Sequence, residues 1–222
     1  MTARIAWGPM PDRGGHTLTV AEYRDATPLA VVGDPVGLRD WEPADIAPLR
    51  DYLRPDRPWY DTNGPYFGRP TAAEIAARIG RIESIAGLSA EEREVPRRSV
   101  AVVETGSDRL VGEVSWYWES EPTDWRRMGV VIYDESVWGR GYGTEALRLW
   151  TDLLFSITDA LRLDFATYSG NPGMLAVGTR LGFTEEARFR RARRWSGGVH
   201  DSVVFGILRE EWESVNSNNK IG

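Results

Sequence analysis

Val130-Val131-Ile132-Tyr133-Asp134-Glu135-Ser136-Val137-Trp138-Gly139-Arg140-Gly141-Tyr142-Gly143-Thr144-Glu145-Ala146-Leu147 is the stretch that decides how this chain of 222 residues folds. An apolar run of strand character leads into a loop with glycine at alternate positions. The loop opens directly into an amphipathic helix predicted over 144–157. Glycines let the backbone turn so that successive amides point inward. The helix start adds amides with no acceptor and the positive end of its dipole. Together these suit a phosphate or pyrophosphate, and Arg140 supplies a fixed positive charge. Glycines at 139, 141 and 143 do not have the G-x-G-x-x-G spacing of dinucleotide sites, and no lysine stands in the loop as a P-loop requires. The glycine spacing alone is equally that of a tight strand-to-helix turn with no ligand.

Outward from this loop the chain reads as a mixed α/β (α+β) sheet flanked by helices. Upstream, 36–39 opens the main unit as a strand. Pro43 then stands where a helix accepts proline, with Ile46, Leu49 and Leu53 at helical spacing. Thr71 and Glu74 have the spacing of a capping box, followed by the stripe Ile75, Ile79, Ile82 and Ala86. Strands are predicted over 99–105, 110–118 and 128–133. Downstream come a strand over 163–168, a helix over 172–181, and a hairpin of 188–195 with 201–208 around Ser196-Gly197-Gly198. Residues 1–33, with the short β-like runs Thr17–Val20 and 29–32, read as an N-terminal extension, 34–215 as the main domain and 216–222 as a polar tail.

Composition removes several chemistries. No cysteine is present, which excludes disulfides, thiol nucleophiles, thiolate zinc sites and iron–sulfur clusters. Lys220 in the tail is the only lysine, so no Schiff-base lysine stands inside the fold. His16 and His200 are the only histidines, too few for a three-histidine metal site, and no metal is expected. The 33 acidic and 27 basic residues give a net charge of −6, which argues against general nucleic-acid binding. The first residues carry no long apolar core and no run is long enough to span a membrane, so a cytoplasmic protein without membrane contact is expected.

Trp138-Gly139-Arg140-Gly141-Tyr142-Gly143-Thr144-Glu145-Ala146 resembles the acetyl-CoA loop of the GNAT superfamily of N-acetyltransferases. The likeness is to the branch with the ribosomal-protein N-terminal acetyltransferases, where Trp-Gly-Lys/Arg-Gly-Tyr-Gly/Ala-Thr-Glu-Ala is typical. Two further blocks follow in order: Asn171-Pro172 with 181–186, and His200-Asp201 through Trp212. The likeness covers about residues 35 to 215. It implies transfer of an acyl group, most simply acetyl, from acyl-CoA to a primary amine by direct attack in a ternary complex. The acceptor is then a peptide N-terminus, an aminoglycoside, an amino acid or a polyamine. It further implies that the backbone of Val131, Ile132 and Tyr133 pairs with the pantetheine arm. Gly139, Arg140, Gly141, Tyr142, Gly143 and Thr144 would wrap the pyrophosphate, and Asn171 would meet the cofactor near its thiol.

Acid–base chemistry is less clearly signed. Where many relatives carry glutamate two residues before the strand glycine, this chain has Arg127. Met174 replaces a frequent serine, and Gly178 a tyrosine found in other branches. Glu113 and Tyr168 are the remaining candidates as catalytic residues, each with an ordinary structural reading beside it. With the usual positions empty, a non-catalytic acyl-CoA-binding module of the same fold is the alternative. Trp59, Tyr60, Tyr66 and Phe67 are candidates for the acceptor pocket. Trp116, Tyr117 and Trp118, with the acidic residues after them, read either as a cation-attracting entrance or as core. Arg188, Arg190, Arg191, Arg193 and Arg194 read as a solvated hairpin edge in preference to a phosphate site. His200-Asp201 reads as hairpin structure, and ten tryptophans leave room for an interface in a homodimer.

Overall fold

The computed structural model describes residues 4–7 and 28–218. The run Thr17–Val20, His16 and Lys220 lie outside the described residues. The chain forms β1 (Arg4–Trp7), β2 (Leu29–Val32), β3 (Val36–Arg39), α1 (Ile46–Tyr52), α2 (Ala72–Ala86), β4 (Ser99–Glu104), β5 (Leu110–Ser120) and β6 (Trp125–Ile132). It continues with α3 (Tyr142–Ile157), β7 (Arg162–Tyr168), α4 (Pro172–Arg180), β8 (Thr184–Trp195), β9 (Gly198–Leu208) and α5 (Arg209–Asn218). The strands make one sheet in the order β1-β2-β3-β4-β5-β6-β7-β9-β8. Each neighbouring pair is antiparallel except β6 with β7, which are parallel and joined by the α3 crossover.

Two apolar clusters lie on opposite faces of this sheet. On one, α1, α2 and the aromatic connection between them bury Leu49, Leu53, Trp59, Ile79 and Ile82 against Ala101, Val103 and Tyr133. On the other, α3 buries Leu147, Leu149, Trp150, Leu153 and Leu154 on Val100, Val102, Val114 and Phe165. Fully burying each such leucine contributes about 1.5–3 kcal/mol, which is why α3 is fixed so firmly. The capping box at α2 forms: the Thr71 amide donates to Glu74 Oε2 at 2.8 Å, and the Glu74 amide to Thr71 Oγ1 at 3.3 Å.

Some boundaries differ from the sequence reading, each for a tertiary reason. β6 begins at Trp125, not 128. The Trp125 indole donates to Asp164 at 2.5 Å, Arg127 pairs with Asp164 at 2.7 Å, and Arg126 stacks on Trp118 at 4.3 Å. Distant partners thus make a strand of a polar run. β8 begins at Thr184, because a polar edge strand carries no apolar alternation to reveal it. α5 went unread, since among its acidic residues only Trp212 is apolar and buried, against Phe183. The 29–32 run is a sheet strand whose Leu29 and Val31 belong to the α3-side core.

Candidate active site

β6 and β7 hold together only where Arg126 meets Leu163 and Arg127 meets Asp164. Beyond that point the two parallel strands part. Which backbone groups the parting exposes follows from the other edge of β6. The Tyr133 amide donates to the Val111 carbonyl at 2.8 Å, so Tyr133, and by two-residue alternation Val131, turn their backbone toward β5. Val130 and Ile132 turn theirs toward β7, where no strand meets them. The Ile132 carbonyl accepts from the Trp138 indole at 2.9 Å, which leaves its amide and the groups of Val130 on the open edge. Of the three residues expected to present backbone to a ligand, only Ile132 faces the gap; the second is Val130.

The gap leads into the glycine loop. Asp134 Oδ1 accepts the Ser136 amide at 2.9 Å and starts a 3-10 turn that buries Val137. Gly139 and Gly141 have φ of 73° and 89°, where side-chain-bearing residues are strained. Gly141 is also the N-cap of α3, so no side chain caps the first amides of this helix. The amides of Tyr142, Gly143 and Thr144 therefore lack an intrahelical acceptor. Arg140 is exposed and makes no ion pair among the described residues. From beneath, the Tyr142 hydroxyl donates to Glu104 at 2.8 Å, and Arg109 pairs with both Glu104 and Asp134. The Tyr142 hydroxyl, with Ser107 and Arg109, holds the Glu104 carboxyl below its usual range. Burial pushes Asp134 upward, but Arg109 and Ser136 outweigh it and its carboxyl too sits low. Open amides at the mouth, bracing away from it and a free guanidinium fit a pyrophosphate-bearing ligand.

The catalytic candidates both lie on the α1/α2 face of the sheet, and both are engaged. Glu113 Oε2 accepts from the Tyr133 hydroxyl at 2.7 Å and pairs with Arg78 of α2 at 2.9 Å. Arg78 also donates to the Tyr133 oxygen at 2.7 Å, closing a triangle. Burial, then the nearby Glu113 charge, pushes the Tyr133 phenol well above its ordinary pKa. Tyr168 ends β7, where its hydroxyl donates to the Asp61 carbonyl at 3.1 Å and burial raises its pKa. Asn171 caps α4 by accepting the Met174 amide at 3.0 Å, and its Nδ2 donates to the Thr62 carbonyl at 2.9 Å. Tyr168 and Asn171 thereby bind the far side of the gap to the aromatic connection.

That connection borders a cleft of about 470 Å³ against α2, lined by Trp59, Tyr60, Phe67, Arg78 and Arg81 among others. Tyr66 instead meets Tyr168 edge-to-face at 5.6 Å. Trp116 is core, and Trp118 packs on it at 4.9 Å; only Tyr117 is exposed. His200 packs on Tyr168, while Asp201 binds Arg188 and the Arg191 amide. The sequence reading missed Asp164. It is fully buried at the apex of the gap, where Arg127 and Trp125 hold it; a lone acid within the apolar run Leu163-Asp164-Phe165 was the available signal. Among the described residues no three His, Asp or Glu side chains converge as metal ligands, and no helix is long and apolar enough to cross a membrane.

A mixed sheet in which two parallel strands part over an uncapped helix start defines a protein of the α/β class. Residues 36–184 match the family model for the acetyltransferase (GNAT) domain, and the chain belongs to that family. Over 75 residues it is 33% identical to YdaF of Bacillus subtilis (strain 168), described as a candidate ribosomal N-acetyltransferase. The match spans 34% of this chain and 41% of the length of that relative. In fold it is similar to a GNAT-family acetyltransferase from Bacillus anthracis (TM-score 0.64, 16% identity, covering 82% of this chain and 99% of that one). It is similar also to RimL, a ribosomal L7/L12 α-N-protein acetyltransferase solved with coenzyme A (TM-score 0.60, 16% identity, covering 80% and 96%).

Proposed function

We propose that residues 34–215 form an acetyltransferase unit that moves an acetyl group from acetyl-CoA to a primary amine in the cytoplasm, with 1–33 as an extension joined through β2. The parting of β6 from β7 carries this reading, because it leaves one strand edge open directly above the glycine loop. In it, Val130 and Ile132 bind the pantetheine arm as an added strand would. The amides from Gly139 to Thr144 wrap the pyrophosphate, with Arg140 adding charge. Asn171 lies beside the thiol end. The thioester supplies an activated acyl group, and the open β6 amides stabilise the oxyanion that forms when the amine adds to it. Tyr168, kept protonated by its burial, is the proton donor to the departing thiolate. Glu113 helps leave the attacking amine neutral. The names of YdaF and RimL keep a ribosomal-protein N-terminus among the acceptors, beside aminoglycosides, amino acids and polyamines.

A second reading, a module that binds acyl-CoA without turning it over, is favoured by one observation. Both Glu113 and Tyr168 already have partners, while Arg127, Met174 and Gly178 fill the usual acid and base positions. Calorimetric titration with acetyl-CoA, with NAD as control, tests the shared part of the two readings. Micromolar binding of acetyl-CoA alone is expected; binding of neither overturns both. Thiol release with a panel of amines then separates them. Tyr168→Phe is expected to lower kcat about 10²-fold with the KM for acetyl-CoA unchanged, as loss of a proton donor does.

A further inference from the structure

Trp138 opens the glycine-loop motif, yet holding a pyrophosphate on open amides makes no use of its ring. The 3-10 turn before it decides where that ring goes. Val137 is buried there, and the Trp138 amide donates to the Glu135 carbonyl at 3.2 Å. Gly139 follows with φ of 73°, so the chain turns away at once toward the helix start. The indole is left lying back on β6, where its Nε1 donates to the Ile132 carbonyl at 2.9 Å. The side chain is 38% exposed and belongs to neither apolar core, which puts it on the rim of the gap. Burial therefore does not account for a tryptophan at this position.

Above the Arg127–Asp164 pair, the open edge of β6 turns two carbonyls toward the gap, that of Val130 and then that of Ile132. They stand two residues apart, about 6.6 Å along a strand. Both belong to branched apolar residues on the same side of the pleat, so the strand by itself does not choose between them. The indole does, because it already occupies the Ile132 carbonyl. We propose that Trp138 is a positioning residue that fixes the register of the pantetheine arm on β6. With the Ile132 carbonyl held, the amide N–H of the arm nearest the thioester pairs with the Val130 carbonyl. Pairing one step higher, at Ile132, would withdraw the thioester by about 6.6 Å toward the glycine loop, out of reach of an amine placed for the deeper register. An indole suits the task, since its nitrogen is a donor only and offers the N–H of the arm no acceptor of its own. The proposal rests on the acetyl-transfer reading and adds to it what sets the depth of the thioester.

Two measurements test it. In the wild-type protein the Trp138 indole N–H, assigned by NMR through its contact with Ile132, should exchange with solvent no faster when acetyl-CoA is bound. In Trp138→Phe both registers open, and productive and unproductive complexes share the bound enzyme. At saturating amine, kcat and the KM for acetyl-CoA should then fall together by about fivefold, the order that one neutral hydrogen bond gives, with kcat/KM unchanged. A merely structural role would lower kcat/KM. That result, or unaltered kinetics, overturns the proposal and leaves the acetyl-transfer reading standing. Faster exchange of the indole in the complex overturns it too, because the arm then displaces the ring. If the variant does not fold, the exchange measurement on the wild-type protein decides. Failure of the wild-type protein to bind acetyl-CoA sinks both, whereas binding without turnover of any amine ends the transfer reading and leaves the register to the indole exchange.

Discussion

Arg78 joins α2 to the buried floor of the site through Glu113 and Tyr133, and its removal leaves a carboxylate and a phenol beneath a helix without their cation. Hydrogen bonds to charged groups contribute about 1.5–3 kcal/mol, so Arg78→Ala is expected to destabilise by about 2 kcal/mol, read as a lower urea midpoint with an unchanged slope. Tyr133→Phe should cost a similar amount. Lysine cannot reach both oxygens with one planar fork, so Arg78→Lys should restore little. The carboxylates under the glycine loop give a pH signature. Glu104 and Asp134 ordinarily titrate near 4.5 and 3.8, and in the fold both sit lower. Groups with depressed pKa values stabilise fully above their unfolded values and stop doing so as the pH falls through the folded ones. Thermal stability should therefore decline below about pH 4.5, and Glu104→Gln should flatten that decline. An unaltered acid limb in the variant would show that this carboxylate is not linked to folding.

The decisive element is α3, fixed at both ends by different means. At its start, glycine leaves the amides open. At its end, Arg209 donates to the carbonyls of Phe155 at 2.6 Å, Thr158 at 2.7 Å and Ala160 at 3.0 Å. A cation there complements the negative end of the helix dipole while satisfying orphan carbonyls. Arg209→Ala is expected to cost about 1–3 kcal/mol and to raise amide hydrogen exchange in the last turn of α3 before that of the sheet. At the start, a Cβ on Gly141 would meet nothing within 4 Å, so Gly141→Ala suffers only from its positive φ. That strain is about 1–2 kcal/mol. Gly141→Asp adds a carboxylate facing the proposed pyrophosphate and should abolish acetyl-CoA binding while folding no worse than the alanine variant. Unchanged affinity in Gly141→Asp would refute the loop assignment.

Across the whole molecule, one sheet separates two cores, and strand β2 seals one of them. Leu29 and Val31 are buried against the α3 side, and the Leu29 amide donates to the buried Asp40 carboxylate at 2.8 Å. Asp40 in turn pairs with Arg97 at 2.9 Å. Leu29→Ala should therefore cost about 2–5 kcal/mol, measured by denaturant unfolding. The sequence by itself determined what depends on neighbours a few residues apart. The capped stripe of α2, the apolar run of β6, the alternate glycines and the amphipathic α3 are all local patterns. Local patterns suffice there because helix periodicity, caps and positive-φ turns are set within one or two turns of chain. Only the tertiary structure decided where β6 leaves β7 and which backbone groups that exposes. The Arg127–Asp164 pair at that point joins residues 37 apart, and the pleat direction of β6 is fixed by its bond to Val111 on another strand. The same holds for the engagement of Glu113 by Arg78 and of Tyr168 by Asp61. A side chain's chemistry is written in its residue type, but whether that chemistry is free to act depends on partners the fold brings from far along the chain.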